Sequence, residues 1–70
     1  MGQIIIHQNG LLELDSFLLQ INDQIELFVL NTWVPGIIAL DQQGWYVLTG
    51  DKSTLRLQTG MVARLHQLAP

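Results

Sequence analysis

Turn residues interrupt this chain so often that no long helix fits between them. Asn9-Gly10, Asn22-Asp23, Asn31-Thr32, Asp41-Gln42-Gln43-Gly44, the loop from Gly50 to Thr54, and Thr59-Gly60 cut it into short apolar runs. Runs of this length, rich in branched and aromatic residues and bounded by Gly, Asn and Asp, read as strands. Asn9-Gly10 is the clearest punctuation, because both residues tolerate the positive φ of a two-residue type I′ turn. Ile4–Gln8 and Leu11–Leu14 are therefore predicted to pair as a hairpin. The three consecutive isoleucines support this, since branching at Cβ suits a pleated surface better than a helix.

Asp15-Ser16 has the make-up of a helix N-cap, with Phe17–Gln20 as its first turn. Asn22-Asp23 would end such a helix at once, so whether residues 16–20 are helical stays open. From Gln24 onward the pattern is all β: Gln24–Leu30, Trp33–Leu40, Trp45–Thr49, Leu55–Gln58 and Met61–Leu68. Several short strands at this spacing predict an all-β fold, a small barrel of about five strands over residues 15–70. The hairpin over residues 1–14 extends it, and the 70 residues form one domain.

Register sharpens this picture. With Asn31-Thr32 as a two-residue turn, Leu30 lies opposite Trp33, Val29 opposite Val34, Phe28 opposite Pro35, Leu27 opposite Gly36 and Ile25 opposite Ile38. Side chains alternate faces with period two. One face then holds Ile25, Leu27, Val29, Val34, Ile38 and Leu40, the expected core. The other holds Glu26, Phe28, Leu30, Trp33, Pro35, Ile37 and Ala39, with one charge among them. An antiparallel sheet with one wet face shows polar residues there. This second face is therefore expected to be covered too, by the N-terminal hairpin, by a second copy, or by another protein.

Charge is scarce: 13% of residues are charged against 49% hydrophobic, with three cations, six carboxylates and a net charge of −3. Nucleic-acid binders carry a basic stripe, which Lys52, Arg56 and Arg64 are too few to build. The chain has no cysteine, hence no disulfide or thiolate metal site. Its first residues lack the basic region and longer apolar core of a signal peptide, and no apolar run approaches about 18 residues. A cytoplasmic protein with no membrane contact is expected. His7 and His66 have no ligand-like spacing to each other or to a carboxylate. Ser16 and Ser53 have no histidine near them in sequence, and Gly44, Gly50 and Gly60 stand singly at turns. No catalytic residue, metal site or cofactor is expected, and the protein is not read as an enzyme.

Trp33 with Ile37-Ile38, then Asp41, Gly44-Trp45-Tyr46-Val47-Leu48, Leu57, Gly60 and Val62-Ala63-Arg64-Leu65 forms a pattern over about residues 17–65. It resembles a family of short uncharacterised bacterial proteins with W-x-x-x-R-I, an acidic turn, G-W-Y-L and a closing L-x-G-x-x-V-R-I. The resemblance implies a small SH3-like β-barrel and no established activity. This chain departs from the pattern by placing Ile37 where the family has arginine.

Two functional expectations follow. The first is a protein–protein module that associates through Phe28, Leu30, Trp33, Pro35 and Ile37, as a homo-oligomer (a dimer being favoured) or with a protein partner. Tyr46 is a candidate lining residue of a peptide groove of the SH3 kind, since Trp45 and Tyr46 point to opposite faces. The second is a small regulator touching nucleic acid through Lys52, Arg56 and Arg64.

Overall fold

The computed structural model describes residues 2–66. Among them there is no helix; nine strands form two antiparallel sheets. They are β1 (Gly2–Gln3), β2 (Ile5–Ile6), β3 (Leu12–Leu14), β4 (Phe17–Leu19), β5 (Gln24–Val29), β6 (Thr32–Asp41), β7 (Gly44–Thr49), β8 (Thr54–Arg56) and β9 (Val62–Leu65). The six-stranded sheet runs β1-β9-β5-β6-β7-β8 and the three-stranded sheet β2-β3-β4. The all-β expectation holds. The sheets do not close into a barrel: over residues 15–66 six strands, β4 to β9, stand where about five were expected, because Phe17–Leu19 is a strand and joins the N-terminal hairpin in a sheet of its own.

The hairpin at Asn9-Gly10 forms with a different turn. Ile5 pairs with Glu13 and Ile6 with Leu12, so Gln8-Asn9-Gly10 makes a three-residue loop. His7 N–H donates to Leu11 O at 2.9 Å and Gly10 N–H to His7 O at 2.9 Å. Gly10 alone takes the left-handed conformation, with φ of 91°, the geometry of a turn followed by a bulge. The one-residue change decides the packing, because it turns Leu12 and Leu14 inward and leaves Glu13 beside His7. The two-residue turn lies instead at Asp15-Ser16, with φ of 53° and 68°. It opposes Leu14 to Phe17, so Phe17–Leu19 is a strand and no helix forms over residues 16–20.

The next turn also shifts. Phe28 pairs with Trp33, Leu27 with Val34 and Ile25 with Gly36, which places Leu30-Asn31, not Asn31-Thr32, in the turn. Register moves by two residues, so face assignments survive. Ile25, Leu27 and Ile38 are fully buried. Leu40, expected in the core, is 47% exposed near the far end of β6. The strands expected over Leu55–Gln58 and Met61–Leu68 are shorter, Thr54–Arg56 and Val62–Leu65; Leu68 lies outside the described residues.

One core joins the sheets: Ile4, Leu12, Leu14 and Leu19 from the N-terminal side meet Ile25, Leu27, Ile38, Val47, Leu57 and Ala63. Ile4 sits where the chain passes from one sheet to the other. Its N–H donates to Met61 O and its carbonyl accepts from Gly60 N–H, both at 2.8 Å. Trp45 Nε1 donates to Gly10 O at 2.8 Å, a second tie between the layers. Gly36 lets β6 and β7 approach, because a Cβ there would lie 2.1 Å from Val47 Cγ1.

The N-terminal side thus supplies four of the ten buried core residues and is not an appendage. Leu14→Ala is expected to cost about 2–5 kcal/mol, the range for emptying a buried leucine site, and to lower the unfolding midpoint of the whole chain in one transition. A two-step urea curve with residues 20–66 unaffected would contradict this.

Candidate association face

Opposed residues in antiparallel strands share a face, so register maps the outer side of the six-stranded sheet. Phe28 lies opposite Trp33, Glu26 opposite both Pro35 and Arg64, Ile37 opposite Leu48, and Tyr46 opposite Ala39 and Arg56. The structure thus brings Phe28, Trp33, Pro35, Ile37, Tyr46, Arg56 and Arg64 to one face, while Leu30 stands at the tip of the β5–β6 hairpin. Lys52 is apart, in the β7–β8 loop with φ of 68°. Leu48 completes the apolar stripe and was missed; counting two on from Tyr46 finds it.

The N-terminal sheet does not cover this face, because Ile4, Leu12, Leu14 and Leu19 lie on the opposite side, in the core. Phe28 is 41% exposed, Ile37 39%, Leu48 40% and Leu30 94%. Trp33 is half-buried by its own neighbours. Its ring lies 5.0 Å from that of Phe28, and the Arg64 guanidinium sits 4.0 Å over it, a cation–π contact. Arg64 Nε in turn donates to Glu26 Oε1 at 2.7 Å.

At the other margin Arg56 donates to both oxygens of Asp41, at 2.9 and 3.0 Å, and to Gly44 O at 2.9 Å. It also lies 5.4 Å from the centre of the Tyr46 ring. An arginine therefore covers Tyr46 where a peptide groove was expected. The Arg56 hydrogen bonds, with the Gln43 N–H, hold the Asp41 carboxyl down to about 2, and the same pair raises Arg56. In the β7–β8 loop the Thr49 hydroxyl and Ser53 N–H bond the Asp51 carboxylate and hold it below the ordinary range.

His7 meets Glu13 at 2.8 Å on the three-stranded sheet, far in chain order from every serine except Ser16. Among the described residues no three His, Asp or Glu side chains converge as a metal site would require, and no helix is long and apolar enough to cross a membrane. Phe17, Leu18 and Ile21 are a second exposed apolar group, and the first two line a groove of about 580 Å³ with Leu65 and His66. The sequence reading missed it by treating Phe17–Gln20 as a possible helix turn.

The Asp41–Arg56 pair predicts a sign. Asp41 releases its proton more readily in the folded chain, so its contribution is present above pH 3.8 and lost as the pH falls toward about 2. Melting temperature in that window is expected to fall less in Asp41→Asn than in the unaltered chain. Parallel curves would remove the pair's role.

Among families, that described as Domain of unknown function (DUF5348) matches residues 7–65. No curated protein and no solved structure matches the chain.

Proposed function

We propose, for a chain that belongs to the DUF5348 family, that the protein is a non-enzymatic association module and that it self-associates through the outer face of its six-stranded sheet. The observation that carries this reading is the uncovered apolar stripe Phe28–Trp33–Pro35–Ile37–Leu48 on a chain whose other sheet face carries its core. Contiguous exposed apolar surface on a small soluble chain favours an interface, and aromatic and arginine side chains are enriched in the energetically important parts of such surfaces. Assembly also supplies burial that a 70-residue chain is short of, since folding at this size hides only about 60% of the unfolded surface.

Within the same reading, strands β5 to β9 form an SH3-like small barrel left open. The order β9-β5-β6-β7-β8 supports this: a four-strand meander, β5 to β8, after which β9 returns beside β5. A bacterial, cytoplasmic setting belongs to the same proposal.

Nucleic-acid contact through Lys52, Arg56 and Arg64 draws less support from the geometry. Both guanidiniums already hold carboxylates, so phosphate would have to displace them. Titration with DNA and RNA at low and moderate salt is expected to show no salt-dependent binding.

Sedimentation over a wide concentration range tests the main reading. The unaltered chain is expected to associate, and Ile37→Arg to weaken association at least tenfold with the fold intact, because a buried unpaired charge at an interface is costly. Trp33→Ser is expected to reduce association more than folding. A chain that stays monomeric at high concentration, or Ile37→Arg associating like the parent, would sink the reading.

A further inference from the structure

We propose that the occupant of this face is a second copy of the chain, related by a twofold axis, with Leu30 of each copy seated in a pit on the other. The inference rests on the association reading above and specifies its geometry.

The first observation is Leu30 itself. It occupies the first position of the β5–β6 turn with φ of 49°, followed by Asn31 at 65°. Left-handed backbone suits Gly and Asn and disfavours other side chains. Leu30 is also 94% exposed, the highest value among the exposed large apolar residues. A leucine here is unfavourable for the local backbone and for the isolated chain in water. Such a double departure from local rules points to a role outside the monomer.

The second observation is a pit of about 240 Å³ lined by Gln24, Ile25, Pro35, Gly36, Gly50 and His66. Gln24 and Pro35 belong to the outward rows, in register with Ile37 and Glu26, so the pit opens on the same face as the apolar stripe. Gly50 contributes no side chain to fill it, and a Cβ there would meet nothing within 4 Å. Pro35 gives its exposed wall apolar character, as a leucine knob needs, while Ile25 is fully buried and turned to the core.

Geometry joins the two. Leu30 is five residues from Ile25 along β5, roughly 17 Å at about 3.3 Å per residue. One face therefore carries both a knob and a hole at fixed separation. Under a twofold axis such a surface is self-complementary: each knob enters the other copy's hole, both contacts form together, and the assembly closes. The axis then falls about midway between knob and pit, level with Phe28 and Trp33. The Phe28–Trp33 pair, 5.0 Å between centroids and with Arg64 stacked over the Trp33 ring, meets its own copy at the centre, where aromatic and arginine anchors contribute most. The molecule measures 32 × 26 × 24 Å, so one face is of the order of the roughly 800 Å² per partner that standard interfaces bury.

The test pairs two variants with a label. Leu30→Asn removes the knob and places a residue that accepts positive φ, so it is expected to melt at or above the parent temperature while associating at least tenfold more weakly. Gly50→Tyr fills the pit from a position where a Cβ meets nothing within 4 Å; it is expected to fold normally and lose association to a similar degree. Because the chain has no cysteine, a nitroxide on Ser53→Cys marks the loop beside the pit uniquely. Mixed with isotope-labelled unaltered chain, it is expected to broaden the Leu30 methyl signals of the partner copy most strongly. Association at parental strength in both variants, or strongest broadening elsewhere, overturns the knob-and-pit arrangement while leaving sheet-face association standing. Absence of association in the unaltered chain overturns both.

Discussion

Everything in this molecule depends on the burial of one face of the six-stranded sheet beneath the three-stranded one. Ile4, Leu12, Leu14 and Leu19 close over Ile25, Leu27, Ile38 and Val47, and apolar surface removed from water is the main favourable term in folding. The chain reaches this arrangement by bending at Ile4, which hydrogen-bonds Met61 and Gly60 while passing between the sheets. The Trp45 indole fastens the first hairpin through Gly10 O. The described residues build one such cover. The outer face is consequently left to water or to a partner.

That face is not simply greasy. Its few charges are arranged in pairs at the margins, Glu26 with Arg64 and Asp41 with Arg56, and each guanidinium also lies on an aromatic ring. Exposed ion pairs contribute little to stability. Here they hold Trp33 and Tyr46 in place and leave the apolar stripe between them free of charge. A low charge content is thus concentrated where it frames a surface, which suits the polar rim of an interface.

Much of this was legible in the sequence because period-two alternation is robust. The turn of the β5–β6 hairpin lies one residue earlier than the Asn31-Thr32 signal indicates, yet the pairing moves by two residues and every side chain keeps its face. At Asn9-Gly10 the same kind of error moves pairing by one residue, setting Leu12 opposite Ile6 and Glu13 opposite Ile5 in place of His7 and Ile6. Asp15-Ser16 carries side chains common to helix caps and tight turns alike, and only the apolar demand on Leu14 and Leu19 settles it as a turn. What covers what was not legible: three covers fit the second apolar face, and a long-range packing choice puts the N-terminal sheet on the other side. The knob at Leu30 and the pit beside Gly36 and Gly50 arise from backbone conformation, which leucine in a turn does not advertise.

The central claim is that one sheet face is core and the opposite face is the site of association. Dilution of an isotope-labelled sample, followed by methyl and aromatic chemical shifts, tests it most directly. The account predicts concentration-dependent shifts at Phe28, Leu30, Trp33, Ile37 and Leu48, with Leu12, Leu14 and Val47 unmoved. Shifts confined to Phe17, Leu18 and Ile21, or none at any concentration, would contradict it.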